Sequence, residues 1–240
     1  MAAITFVTAF ISSLTGMAGG VLMFAALNVF IPLRALVPIH GIVQLFNNVA
    51  RSYYLRDHIR WSMCIPFGFG ALLGAVVTTV LIAKYITEFF PLALLLGLIA
   101  YTLLRPKKMP EIRIADRHFF WVGIGTGFVG IVAGAVDPIL AVFFVRRDLT
   151  KEEIVCNKSV MQMIIHFIKV PAYLFLGFSF LAHAELILIL SCAGILGTWL
   201  GVHALRRLHP EIFMTLMKLA LALAALRIAY RLYELGWPLP

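Results

Sequence analysis

The sequence predicts an all-α polytopic membrane protein made of two inverted-topology repeats, each a broken or re-entrant helical hairpin plus three spanning helices. Three observations predict it. The chain of 240 residues is 62% hydrophobic and only 13% charged, roughly half the charged fraction of about 25% that a soluble surface uses. Several apolar runs approach the length of about 20 residues that crosses a hydrocarbon core of about 30 Å. A stretch from Ser12 to Arg51 also occurs twice, with an offset of 118 residues.

The duplicated stretch opens on Thr15-Gly16-Met17-Ala18-Gly19-Gly20, a glycine-rich break between short apolar segments, and continues into a helix carrying His40, Gln44, Asn48 and Arg51. In the weaker copy Gly16 becomes Gly134, Gly19-Gly20 becomes Asp137-Pro138, and the polar set becomes Lys158, Gln162, His166 and Lys169. Spacings of four, four and three put each set on one helix face. Two polar stripes inside apolar sequence are therefore the feature any function must use.

Residues 3 to 15 and 21 to 31 are each too short to span alone, so they read as a hairpin whose turn is permitted by Gly16, Gly19 and Gly20. A Gly-rich packing seam between helices is the alternative. The first stripe lies on a helix expected over residues 38 to 56, followed by a span from Trp61 to Ala83 with Gly70 and Gly74 as a close-packing pair and Pro66 as a kink. A further helix runs from Pro91 to Leu104. In the second half a hairpin is expected from Phe119 to Val145, broken near Gly134 to Pro138. Thr150-Lys151-Glu152-Glu153 fits a capping box, so the second striped helix should start there and run to about Leu176, with a kink at Pro171. Glu185 to Arg206 forms the next span, with Gly194, Gly197 and Gly201 as close-packing positions and Gly197 aligned with Gly74. Pro210 opens a last helix to about Tyr230.

The domain organisation that follows is repeat one over residues 1–104, a cytoplasmic linker over 105–117 and repeat two over 118–240, all in one transmembrane domain. Each repeat makes an odd number of crossings, which requires the halves to be inverted. Charge agrees with this. With the linker inside, Arg56, Arg60, Arg146, Arg147, Lys151, Arg206 and Arg207 also fall inside, while the outer loop from Gly177 to Ala184 has no Lys or Arg. Both termini then face outward; Arg34, Lys84 and Arg231 run against the rule as a minority. The net charge of +9 is thus topological and not the basic face of a nucleic-acid binder, so no nucleic-acid partner is expected. The N-terminus has no basic n-region, so no cleavable signal is expected. Cys64, Cys156 and Cys192 are isolated, with no metal-ligand spacing. No metal or cofactor is expected. No HExxH, GxSxG or paired carboxylates point to an intramembrane enzyme, so the chain reads as a non-enzyme; a purely structural membrane subunit is the other class weighed, against which the duplicated stripes argue.

Inverted repeats with broken helices hold substrate where the halves meet. Here the expected pocket is positive. The half-helices that start near Gly20 and Pro138 aim amides and the positive end of their dipoles inward, and Arg51 and Lys169 add cationic donors at equivalent positions. Burying each cation costs about 2.5–3.5 kcal/mol at a helix centre, which suggests a role, with snorkelling as the competing explanation. The candidate anion-binding set is Gly19, Gly20, Gln44, Asn48, Arg51, Gly134, Gln162, His166 and Lys169. The amides, Asn47 included, suit oxyanion oxygens or helix-to-helix hydrogen bonds. His166 and Asp137 are the coupling or gating candidates; His166 titrates near working pH or else bonds across helices, and Asp137 pairs with Lys169, carries a proton or caps its half-helix. His40 and Lys158, near helix starts, read as gate or rim residues, and Lys218 and Arg227 as interfacial ones.

The run Ser-Leu-Thr-Gly-Met-Ala-Gly-Gly after a short N-terminal apolar segment, its copy half a chain later, and His166-Phe-Ile-Lys169-Val-Pro-Ala-Tyr resemble the TauE/SafE family of sulfite exporters, also called toluenesulfonate uptake permeases. The resemblance covers nearly the whole chain. It implies a multi-pass transporter of the bacterial inner membrane that moves sulfite, sulfonates such as sulfoacetate, or related sulfur oxyanions, with lipids and the small anion as its partners and a homodimer left open. It falls on Gly16, Gly19, Gly20, Asn48 and Arg51, and on Gly134, His166 and Lys169. Two departures stand out: Ala135-Val136-Asp137-Pro138 replaces the second glycine cluster, and no proline follows the first near Met23-Phe24-Ala25. The expected activity is secondary transport by alternating access with proton coupling, with an anion channel or a carrier of another small anion as alternatives.

Overall fold

A computed structural model describes residues 1–17, 19–27, 29–82, 89–104, 113–132, 137–175, 177–234 and 236. Among them every regular element is helical, and the order of elements repeats. Helices α1 (Ala2–Thr15), α2 (Gly19–Leu27), α3 (Leu33–Tyr54), α4 (Trp61–Val77) and α5 (Phe89–Leu104) are followed by α6 (Phe119–Val132), α7 (Asp137–Phe144), α8 (Lys151–Phe175), α9 (Ala184–Arg207) and α10 (Pro210–Glu234). Each half thus gives two short helices around a break, a long helix bearing a polar stripe, and two more.

The polarity is that of a membrane protein. The buried face of α1 is Thr5, Thr8, Ala9, Ser12, Ser13 and Thr15, while Val7 on the same helix is exposed. Buried hydroxyls are satisfied locally, for instance Thr8 Oγ1 on the Ile4 carbonyl at 2.8 Å and Ser13 Oγ on the Ala9 carbonyl at 3.0 Å. Leu72, Leu73, Leu188, Leu196, Leu223 and Leu226 instead stand exposed, an arrangement that water would penalise and lipid does not. Among the described residues, three stretches, Trp61–Val80, Leu181–Arg207 and Pro210–Glu234, are long and apolar enough to cross a bilayer.

Several boundaries differ from expectation for local reasons. α3 starts at Leu33 and not at residue 38, because Pro32 ends the preceding turn with extended backbone (φ −56°, ψ 140°) and Pro38 is carried inside the helix. The span after Trp61 leaves α geometry at Thr78–Ile82 and continues as π-helix. There Thr78 Oγ1 and Thr79 Oγ1 bond the Gly74 and Ala75 carbonyls at 2.6 and 2.8 Å, competing with the backbone ladder. α8 begins as its capping box predicts: Thr150 N–H donates to Glu153 Oε2 at 2.8 Å and Glu153 N–H to Thr150 Oγ1 at 3.2 Å.

The helices form two compact units, and neither coincides with a half of the chain. The first comprises Met1–Arg60 and Thr150–Phe213, the second Trp61–Leu149 and Met214–Pro240. The first therefore holds α1–α3 with α8 and α9; the second holds α4–α7 and nearly all of α10. Within the first, α9 lies against α1 so closely that a Cβ on Gly197 would stand 2.2 Å from the Phe6 carbonyl oxygen. Within the second, a Cβ on Gly74 of α4 would stand 2.3 Å from the Ile124 carbonyl oxygen of α6. Phe6 and Ile124 are 118 residues apart, Gly74 and Gly197 are 123 apart. The same small-residue contact has been made twice.

Candidate functional site

The polar stripes meet on α3 and α8 of the first unit, which run antiparallel. The His40 and His166 rings lie 6.3 Å apart at one end. At the other, Arg51 reaches Ser159, Cys156 Sγ lies 3.1 Å from the Leu55 carbonyl, and Asn157 Nδ2 donates to the His58 carbonyl at 3.1 Å. Low numbers on α3 thus face high numbers on α8.

Arg51 is only 2% exposed, so its guanidinium is held inside and does not snorkel. Its Nε donates to Ser13 Oγ at 3.0 Å, and its Nη1 to Asn48 Oδ1 at 3.1 Å and Ser159 Oγ at 3.4 Å. These hydroxyl and amide partners, from α1, α3 and α8, orient the group. Lys158, read from sequence as a rim residue, is 1% exposed. Its ammonium donates to the carbonyl of Gly16, the residue that ends α1 in the left-handed region at φ 70°. A cation here satisfies a carbonyl that the end of the helix leaves without an intrahelical donor. His40 is likewise turned onto the break: its Nε2 lies 2.9 Å from the Gly20 carbonyl, to which it must donate, and Phe24 packs edge-on against its ring at 5.3 Å. Lys158 and His40 therefore clamp the two sides of the first glycine break.

The far end of the stripe is different. Among the described residues, the Lys169 ammonium has no hydrogen bond or ion pair, and the buried Nδ1 of His166 has no hydrogen-bond partner. At the offset of 118, Asn48 and Ser159, which hold Arg51, correspond to His166 and Gly41, and glycine offers no hydroxyl. Gln44 and Gln162 are buried between, with Gln44 Oε1 accepting from Asn47 Nδ2 at 3.4 Å. Tyr173 lies beside Gly41, where a Cβ would meet its ring at 3.4 Å.

Gly19 starts α2 against α1; a Cβ there would stand 2.2 Å from the Thr8 carbonyl oxygen. Gly134 lies outside the described residues. Asp137 opens α7 in the second unit, an acidic residue in the first turn. Sequence reasoning missed Ser13 and Ser159 as the supports of Arg51; the signal was present as small hydroxyls at helical spacing in apolar runs.

An all-helical chain that turns leucines outward and buries amides, hydroxyls and basic groups around a helix break is an integral membrane protein of the transporter class. It belongs to the sulfite exporter TauE/SafE family, whose model matches residues 1–228. That membership implies a membrane transporter of the sulfite or sulfonate exporter type. No curated protein and no solved structure matches the chain.

Proposed function

We propose that the protein is a secondary transporter of the bacterial inner membrane that moves sulfite or an organosulfonate such as sulfoacetate by alternating access, with His166 as the proton-coupling group. The observation that carries this reading is the crossing of α3 and α8. Equivalent helices of the two repeats run antiparallel, as inversion requires, and bring one cation toward each end of a shared polar stripe. Arg51 is the fixed positive charge, oriented by Ser13, Asn48 and Ser159. Lys169, three residues from His166 on the same helix face, takes the sulfur oxyanion directly. Gln44 and Gln162 orient its oxygens, and the amides at the start of α2 near Gly19 and Gly20 supply the neutral part of the cradle. Asp137 serves as a gate or proton acceptor in the other repeat. The protein is a carrier and not an enzyme, and both termini face outward.

Uptake of labelled sulfite and sulfoacetate into proteoliposomes tests this. Lys169→Gln removes a charge-assisted donor worth about 1.5–3 kcal/mol, so apparent affinity should fall about tenfold to a hundredfold. Uptake that survives Lys169→Gln combined with Arg51→Gln sinks the assignment. Flux that does not saturate and ignores a pH gradient identifies an anion channel instead.

A further inference from the structure

Away from the polar stripe, the second unit contains an open cavity of about 510 Å³ among α5, α6, α7 and the segment before α6. Its walls are almost wholly apolar, including Leu94, Leu98, Val129 and Phe143, and Ile114 and the exposed His118 also line it. Open space remains at its wall among the described residues: Gly125 lines the cavity, and a Cβ built there meets no atom within 4 Å. Two lining residues, Leu94 at 68% and Trp121 at 67% exposure, place it on the outer surface of the unit, where a membrane protein meets lipid tails. A cavity for a sulfur oxyanion would need donors, and this one has an indole and an imidazole at its rim and hydrocarbon within.

Charged residues flank the lining residues Ile114 and His118 in sequence. Asp116 accepts from the Ser62 hydroxyl, and Asp148 is held by Arg146 and, at 3.7 Å, by Arg113. Both acids are thus engaged. Arg117, next to the lining residue His118, is exposed and has no hydrogen bond or ion pair among the described residues. A basic residue in the same turn as the lining residue His118 matches a phosphate joined to an acyl chain. Interfacial tryptophan at the same level fits the headgroup boundary.

We propose that this groove is a binding site for one anionic phospholipid, its acyl chain lying along Leu94, Leu98 and Phe143 and its phosphate facing Arg117 and His118. The site is independent of the transported solute. It is tested on the full chain in detergent by native mass spectrometry and thermal shift, with phosphatidylglycerol, phosphatidylcholine of the same acyl chains, and glycerol 3-phosphate as probes. One retained phosphatidylglycerol is expected, binding about fivefold tighter than phosphatidylcholine, with glycerol 3-phosphate giving no shift. Gly125→Ala should bind as wild type, while Gly125→Trp fills the slot and abolishes retention. Arg117→Gln, at an exposed position, should erase the preference for phosphatidylglycerol and leave phosphatidylcholine binding unchanged. Equal retention of the two lipids by the wild type, an unchanged preference in Arg117→Gln, or a shift with glycerol 3-phosphate alone overturns the proposal. Should Gly125→Trp fail to fold, the Arg117→Gln comparison decides it.

Discussion

Lys158 and Lys169 sit eleven residues apart on one stripe of α8, yet the structure uses them in opposite ways. Lys158 is a structural cation: its ammonium meets the Gly16 carbonyl, so Lys158→Met should lower stability by about 1.5–3 kcal/mol in a thermal melt, while Lys218→Met on the exposed side of α10 should leave the melt unchanged. Periodicity found both stripe residues but ranked Lys158 and His40 as rim groups, because closeness to a helix end in sequence does not reveal that a glycine break from another segment ends beside them. In the turn before α8, Arg146 donates through Nε to Asp148 Oδ1 at 2.7 Å and holds that carboxyl below its ordinary value of 3.8. A depressed carboxyl stabilises the fold above its unfolded pKa and loses that contribution as pH falls through the folded one. The melting temperatures of wild type and Asp148→Asn should therefore differ at neutral pH and converge as the pH drops below 3.8; a constant gap would show that the ion pair contributes nothing. The effect should be small, since Asp148 is exposed.

Helix termini were legible where side chains write them. The capping box at Thr150 and Glu153 set the start of α8, and Pro210 set the start of α10. They were less legible where backbone competition decides, as in the π-helical Thr78–Ile82, because a threonine hydroxyl on an i−4 carbonyl looks like any other threonine in sequence. The glycine spacings on α4 and α9 marked close packing but not the partner. Those partners, α6 and α1, emerge only from the fold, and they predict a matched pair of effects. Gly74→Ala puts a methyl 2.3 Å from the Ile124 carbonyl oxygen and Gly197→Ala one 2.2 Å from that of Phe6. Each should cost about 1–3 kcal/mol by forcing two backbones apart, and the two melts should shift alike. A large effect at one site with none at the other would mean that the duplicated contact is not equivalent in energy.

At the scale of the whole chain, the sequence reads as two copies at an offset of 118, but the division into packing units was not legible in it. Each unit draws helices from both halves, and a polar stripe says which face of a helix is buried without saying against what. The proposed inversion makes a demand that neither unit alone can meet. Val29, in the turn after α2, and Arg147, in the turn after α7, are equivalent loop positions 118 residues apart, and both are exposed. Parallel repeats would place them on the same side of the membrane; inverted repeats must place them on opposite sides. The positive-inside count assigns Arg147 to the cytoplasm, with Arg146 and Lys151 as neighbours, so Val29 should lie outside. In a background with Cys192 replaced by Ser and the buried Cys64 and Cys156 retained, Val29→Cys should react with a membrane-impermeant maleimide on intact cells, and Arg147→Cys only after permeabilisation. Labelling of both from one side would remove the inversion and with it the antiparallel site shared by Arg51 and Lys169. Opposite sides in the reverse sense would keep the inversion and turn the whole molecule over, putting both termini in the cytoplasm.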